Sequence, residues 1–163
     1  MNTACGAIRN EGYLVSYPNR GVSDDARRIA EREKEIQADI SESVTVGYRQ
    51  MSQAICEAFE ECSVDNWDGY NAKAIDLGSL NEAVRFSQML PTTIPAPEID
   101  VDADGEFVFE WYKGPRRVFS VIVEGTNELT YAGLFGVNKT NGTEYFGDEL
   151  PKTILDNLQR LLS

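Results

Sequence analysis

Between Glu106 and Phe146, apolar and polar residues alternate through three consecutive segments separated by turn residues. Successive side chains on a strand point to opposite faces, so this spacing predicts an antiparallel sheet with one buried face. In the run from Glu106 to Tyr112 the large side chains Phe107, Phe109 and Trp111 fall on one face, and Glu106 and Glu110 on the other. Lys113-Gly-Pro-Arg116 then turns the chain into Val118–Val123, and Gly125-Thr-Asn127 turns it into Leu129–Phe135. Short connections of this kind make a meander. Its apolar face needs a cover, which flanking helical segments can supply.

The remaining features bound what such a protein does. A chain of 163 residues is long enough for one good core, so one domain is expected. With 27 acidic against 15 basic residues the formal charge is -12, which would repel a nucleic-acid backbone. Direct DNA or RNA binding is therefore not expected, whereas basic or nucleic-acid-binding proteins suit the charge. Simple solubility would equally account for the acidity. Histidine is absent, which removes the commonest general base, the Ser-His and Cys-His pairs, and most zinc sites. Any catalysis would fall to carboxylates, Lys, Tyr or a carboxylate-bound metal.

The cysteines Cys5, Cys56 and Cys62 form no CxxC spacing and read as small core residues in a reducing compartment. No apolar stretch approaches a membrane span, and the N-terminus lacks a signal-peptide pattern. A cytoplasmic protein without cofactor and without membrane contact is expected.

Residues 1–22 read as a flexible N-terminal arm, and 23–163 as a single α+β domain. Within it, 23–62 is helical, 63–79 a long loop, and 80–163 a helix, the sheet and a terminal helix. Ser23 is placed to cap a charged helix reaching about Ser41, with Ile29, Ile36 and Ile40 as its apolar anchors. A second helix is expected from Val44 to Cys62, with a kink or break near Gly47. Tyr48, Met51, Ile55, Ala58, Phe59 and Cys62 form its core stripe. Glu57, Glu60 and Glu61 crowd its C-terminus, the unfavourable sign for a helix dipole, and suggest an acidic patch or solvated surface.

Loops as long as 63–79 are uncommon in compact domains unless functional or self-pinned. Trp67 and Tyr70 flank an Asp68-Gly69 turn. They are either anchors that tuck the loop onto the body or, with Asp68, an exposed recognition surface. A third helix is expected over Leu80–Leu90 with Ser79 as cap, stopped by Pro91, Pro95 and Pro97. The last helix reads as capped by Asp148, with Pro151 in its first turn and a stripe of Leu155, Leu158, Leu161 and Leu162.

Several stretches together resemble a family of small bacterial proteins of unknown function. They are Asn66-Trp-Asp-Gly-Tyr70, Leu90-Pro91, Pro95-x-Pro-Glu-Ile99, Asp104-Gly-Glu106, Glu110-Trp111, Phe119-Ser-Val121, Tyr131-Ala-Gly-Leu-Phe-Gly136 and Gly142-Thr-Glu-x-Phe146. The resemblance covers about residues 63–162 and implies a bacterial or phage setting without implying any chemistry. This chain carries Asn71 where the family has a glycine, so the turn there is expected to differ in geometry.

The run Asp100-Val-Asp-Ala-Asp-Gly-Glu106 begins like a calcium loop, but Trp111 stands where a bidentate Glu is required. A hairpin with Asp104-Gly105 supplying positive φ fits the same residues, with Asp100, Asp102 and Asp104 as a weak divalent-metal site in the alternative. Glu98, Asp100, Asp102, Glu106 and Glu110 can form an acidic patch that imitates a phosphate backbone, or simply the polar side of a half-exposed sheet. A carboxylate pair such as Glu110 and Glu124 could serve hydrolysis, though no spacing specifies it. The glycines Gly133, Gly136 and Gly142 suggest a bulge or bend, and a turn over Asn138–Gly142 before a last strand.

The fold expected is α+β: N-terminal helices, an antiparallel meander of about four to five strands, and a C-terminal helix packed on the sheet. The function expected is an acidic, non-enzymatic binding protein of inhibitor or antitoxin type. Its target would be an intracellular bacterial protein, such as a nucleic-acid-binding or defence (CRISPR or restriction) component. The residues expected to carry partner binding are Trp67, Asp68, Tyr70, Glu57, Glu60, Glu61, Glu106 and Glu110. The alternative is a carboxylate- or divalent-metal-dependent enzyme using Asp68, Glu110 or the Asp100–Asp104 loop. Convergence of those groups in one pocket would favour it.

Overall fold

The computed structural model describes the backbone of residues 24–163, with side chains described at 27–35, at 38 and from 47 onward. The expected arm at 1–22 and the Ser23 cap lie outside the described residues. The chain divides into two compact units, Met1–Ala38 and Asp39–Ser163. In the first, the residues from Asp24 belong to helix α1 (Asp24–Glu61), and Ile29, expected as an anchor, is 61% exposed. The side chains of Ile36 and Ile40 lie outside the described residues.

In the second unit α1 continues without the break expected near Gly47. A lone glycine costs a helix about 1 kcal/mol, too little to end one whose later turns are docked. Those turns bury Ile55 fully and Ala58 and Phe59 partly. Cys62 follows the helix, its N–H donating to the Ala58 carbonyl at 3.0 Å.

Helix α2 spans Leu77–Met89, three residues earlier than the sequence suggests. Its cap is Asp76, whose carboxylate accepts from Ser79 N–H at 2.8 Å, so Ser79 is the recipient of the cap and not the cap itself. The helix buries Ala83 and Phe86 completely. Phe86 packs on Phe109 at 4.8 Å and on Phe146 at 5.9 Å between ring centroids.

The sheet is a five-stranded antiparallel meander in chain order: β1 (Glu98–Val101), β2 (Phe107–Gly114), β3 (Arg117–Val123), β4 (Glu128–Phe135) and β5 (Asn138–Tyr145). Directly paired residues share a face. The row Ile99, Phe109, Val121, Tyr131, Gly142 and the row Trp111, Phe119, Gly133 both lie on the buried side, as the alternation predicts. At the β1–β2 turn only Gly105, at φ +81, takes the positive angle that the sequence assigns to Asp104-Gly105.

The expected turn at Asn138–Gly142 is instead part of β5, and the chain reverses at Gly136-Val137. Nor do Gly133 and Gly142 mark bulges, because β4 and β5 pair without a register shift. Gly142 is small because a Cβ there would meet the Tyr131 hydroxyl at 2.7 Å.

Helix α3 (Lys152–Leu162) packs on the same face through Ile154, Leu158 and Leu161. Pro151, not Asp148, occupies its cap position, and it offers no side-chain hydrogen bond. The last turn is tied to the sheet by Arg117, which donates to the Leu161 carbonyl at 2.6 Å, and by Lys113, which donates to the Leu162 carbonyl at 3.2 Å. Cations at a helix C-terminus offset its partial negative charge. The architecture is thus α+β, with the terminal helix on one sheet face as the alternation and the leucine stripe predict.

Candidate protein-binding surface

The helices of this unit that pack on the sheet take one face, and the side chains of the other face can be read from register. By alternation from the buried residues, Glu98, Asp100, Asp102, Glu106, Glu110, Glu124 and Glu128 all point to that second face. The strands carry only Lys113, Arg117 and Lys139 as basic residues. Lys113 and Arg117 point the other way, where they hold the end of α3. Lys139 alone shares the acidic face, beside Leu134. Half-buried Val108 and Ile122 form one cross-strand pair there and Val118 and Leu134 another, on either side of the row Glu110, Ser120 and Ala132, with Tyr112 exposed beside the second pair and Tyr145 exposed on β5.

Several of the carboxylates are held in place. Ser120 donates to Glu110 at 2.8 Å, and Thr130 donates to Glu124 at 2.5 Å. Burial, followed by the charges of Asp102, Glu124 and Asp104, pushes the Glu106 carboxyl above its ordinary value, against a smaller lowering by Lys73. Lys73 itself sits 2.6 Å from Asp104, and that hydrogen bond raises its pKa.

The Asp100–Asp104 run closes a hairpin turn. Asp102 accepts from the N–H groups of Asp104 and Glu106, Asp100 accepts from Val101 N–H, and Asp104 pairs with Lys73. Among the described residues no group of three or more potential ligands is placed to hold a metal ion. The hairpin turn expected of these residues is the one observed. Glu98, Asp100, Asp102 and Glu110 do share a shallow groove of about 320 Å³ on the acidic face. Glu110 and Glu124 do not form a pair: Glu110 lies beside Ser120, and Ser120 to Glu124 is about 13 Å along a strand, beyond the spacing that glycoside hydrolysis uses.

The loop after α1 separates its two aromatics. Trp67 is half-buried against the core, and its indole N–H donates to the Lys73 carbonyl at 3.0 Å, so Trp67 is an anchor. Tyr70 is 90% exposed and anchors nothing. Asp68 spends one carboxylate oxygen on the N–H groups of Tyr70 and Ala72, which fixes the turn that presents Tyr70. Asn71 adopts φ +76, a conformation asparagine tolerates better than most residues.

Glu57, Glu60 and Glu61 are exposed at the end of α1. Glu57 and Glu61 line a groove of about 380 Å³ with Trp67 and Asp100, so the helix-end acids approach the edge of the acidic sheet face. The structure thus connects Glu57 and Glu61 to Asp100, and Glu106 and Glu110 to Asp102. Asp68 and Tyr70 line neither groove.

Sequence reasoning missed Glu124 and Glu128 as members of the acidic face and the pinning role of Lys113 and Arg117. Parity could have found Arg117. Arg117 precedes Phe119 by two residues, which places it on the buried side, whereas Lys113 lies in a strand irregularity between Tyr112 and Gly114 and reaches that side through its bond to the Leu162 carbonyl. No described helix is long and apolar enough to cross a membrane. No family model, curated protein or solved structure matches this chain.

Proposed function

We propose that this chain is a non-enzymatic binding protein, of inhibitor or antitoxin type, that engages a basic bacterial protein through the acidic sheet face. The observation that carries this reading is the sorting of charge across the sheet. Two of the three strand cations are drawn to the helix side, leaving Lys139 against a field of carboxylates. A protein surface adapted only for solubility has no need of half-buried aliphatic pairs set among acids, whereas an interface combines apolar contacts with charged ones. Acidic groups at spaced positions are complementary to a surface that ordinarily holds nucleic acid, which supports a nucleic-acid-binding or defence component as the target class. Glu57 and Glu61 extend the same field past β1, and Tyr70 is an aromatic contact at the neighbouring loop.

Copurification from a bacterial host tests the reading. A stoichiometric partner, retained at low salt and lost as salt rises, is expected with the natural sequence, because screening weakens exposed charge pairs. Glu110→Lys combined with Glu128→Lys is expected to abolish retention without unfolding the protein. Retention unchanged by that reversal, or partner-free protein at both salts, would overturn the proposal.

A further inference from the structure

The two edges of the sheet differ in how they are protected. β1 has 4 residues, is acidic, and borders the groove lined by α1 and Trp67. β5 has 8 residues and no proline, and its only charges are Lys139 and Glu144. Among the described residues no strand lies beyond it. A long edge with unpaired backbone groups is a template for another strand.

The direction of those groups follows from the turn that precedes β5. Gly136, at φ +70, and Val137 form a two-residue turn closing the pair Phe135 and Asn138. In such a hairpin the closing pair is hydrogen-bonded, so Asn138, Thr140, Gly142 and Glu144 turn their backbone groups toward β4. The far end obeys the same parity, with Phe146 N–H donating to the Asn127 carbonyl at 2.7 Å. The N–H and C=O of Lys139, Asn141, Thr143 and Tyr145 therefore point away from the sheet, and all four side chains are exposed. Tyr145 is 74% exposed, a large aromatic left at the edge.

We infer that β5 pairs antiparallel with β5 of a second copy, joining the two sheets into one. A two-fold axis perpendicular to the sheet keeps the helix-covered faces together, so opposed residues must share a face. Centred on Gly142, this register sets Lys139 against Tyr145 of the other copy and Asn141 against Thr143. Every outward N–H and C=O on both strands then has a partner, whereas a register centred on Asn141 strands those of Tyr145. Gly142 meets Gly142 at the axis, and each Lys139 ammonium reaches the face of a tyrosine ring, a favourable contact for a cation. The edge is self-complementary and locally neutral, in a chain whose net charge is -12. These properties select a second copy over an acidic or strongly basic strand. Both acidic faces then point the same way.

A single strand pair falls short of a standard interface, so the dissociation constant is on the order of 100 μM. Two bodies of charge -12 repel, so added salt tightens self-association. That dependence is the reverse of the one expected for a basic partner, and either proposal can fail without the other.

Sedimentation equilibrium of the full chain, from about 10 μM to about 1 mM, measures the association. Amide resonances followed through the same dilution locate it. The expected result is a monomer–dimer equilibrium that strengthens with salt, with shifts concentrated at Lys139, Asn141, Thr143 and Tyr145. Asn141→Pro removes an outward N–H and is expected to weaken dimerisation at least about tenfold. Should N141P fail to fold, Asn141→Lys with Thr143→Lys sets lysine against lysine across the axis and is expected to do the same. A monomer throughout, shifts centred elsewhere such as on α1, or a dimer indifferent to the folded variant would overturn the inference.

Discussion

Gly105→Ala is the substitution whose cost can be worked most directly from the geometry. The backbone there is at φ +81, and an added Cβ would lie 2.7 Å from the Ala74 carbonyl oxygen and 3.1 Å from that of Lys73. The left-handed backbone costs a non-glycine residue about 1–2 kcal/mol. The contact is with main chain, which cannot rotate aside, so the 73–74 segment must retreat. Retreat would break the bond from Lys73 N–H to the Ala103 carbonyl, now 2.9 Å, at about 1 kcal/mol net.

The sum is about 2–3 kcal/mol, or a fall of roughly 6–10 °C in Tm for a body of this size. Gly69→Ala supplies the control: φ is +76, but nothing lies within 4 Å of the added Cβ, so only the strain of about 1–2 kcal/mol is expected. Thermal and urea unfolding of both variants measures the difference. Trp67 fluorescence should change in G105A alone, since its indole donates to the Lys73 carbonyl. Equal destabilisation by the two substitutions would refute the argument that the turn and the loop are locked by close approach.

The other substitutions probe charge, burial and reactivity. Glu106 ionises at a higher pH in the fold than its ordinary 4.5, so its charged form opposes folding. Its contribution is absent at low pH, and stability is lost as pH rises from the unfolded value through the raised folded one. Glu106→Gln should accordingly stabilise by about 0.5 kcal/mol at neutral pH and by nothing near pH 3, in urea titrations at the two pH values. Phe86→Ala removes a completely buried ring packed between Phe109 and Phe146, and should cost about 3–5 kcal/mol by the same unfolding measurements. Tyr70→Ala, at a side chain 90% exposed, should leave stability within about 0.5 kcal/mol while weakening partner retention. Of the two described cysteines, exposed Cys56 should react with a thiol reagent well before Cys62, whose thiol pKa is raised by burial and then by Glu61 and Asp100.

The sheet was legible because a half-buried antiparallel strand writes its two environments into alternate residues. Phe107, Phe109 and Trp111 went to one side and Glu106 and Glu110 to the other without any knowledge of the third dimension. Helix boundaries were less legible because several residues could fill one role. Asp76 and Ser79 are both capping types, and only the bond from Ser79 N–H to the Asp76 carboxylate decides between them. Gly47 looked like a break because propensity is local, while the docking of Ile55 that sustains the helix is tertiary. Trp67 and Tyr70 could not be separated, since aromatic character is compatible with burial and with display. The acidic face was half legible: its members on β1 and β2 stood out as a run, but Glu124 and Glu128 join them only through the pairing of β3 and β4.

Because spatial order and chain order coincide in the meander, each strand needs only its predecessor in order to pair. Every pairing closes a short loop, which keeps the entropic cost of assembling the sheet low and favours rapid zipping from any one hairpin. The cover is not so local. Ile154, Leu158 and Leu161 come from the final helix, so a nascent chain can lay down all five strands while part of their apolar side still lacks its lid. Docking of the last turn of α3 is then the event that converts a sticky ribbon into a sealed one, and substitutions that unseat Leu158 and Leu161 should cause aggregation during synthesis more than loss of the strands themselves.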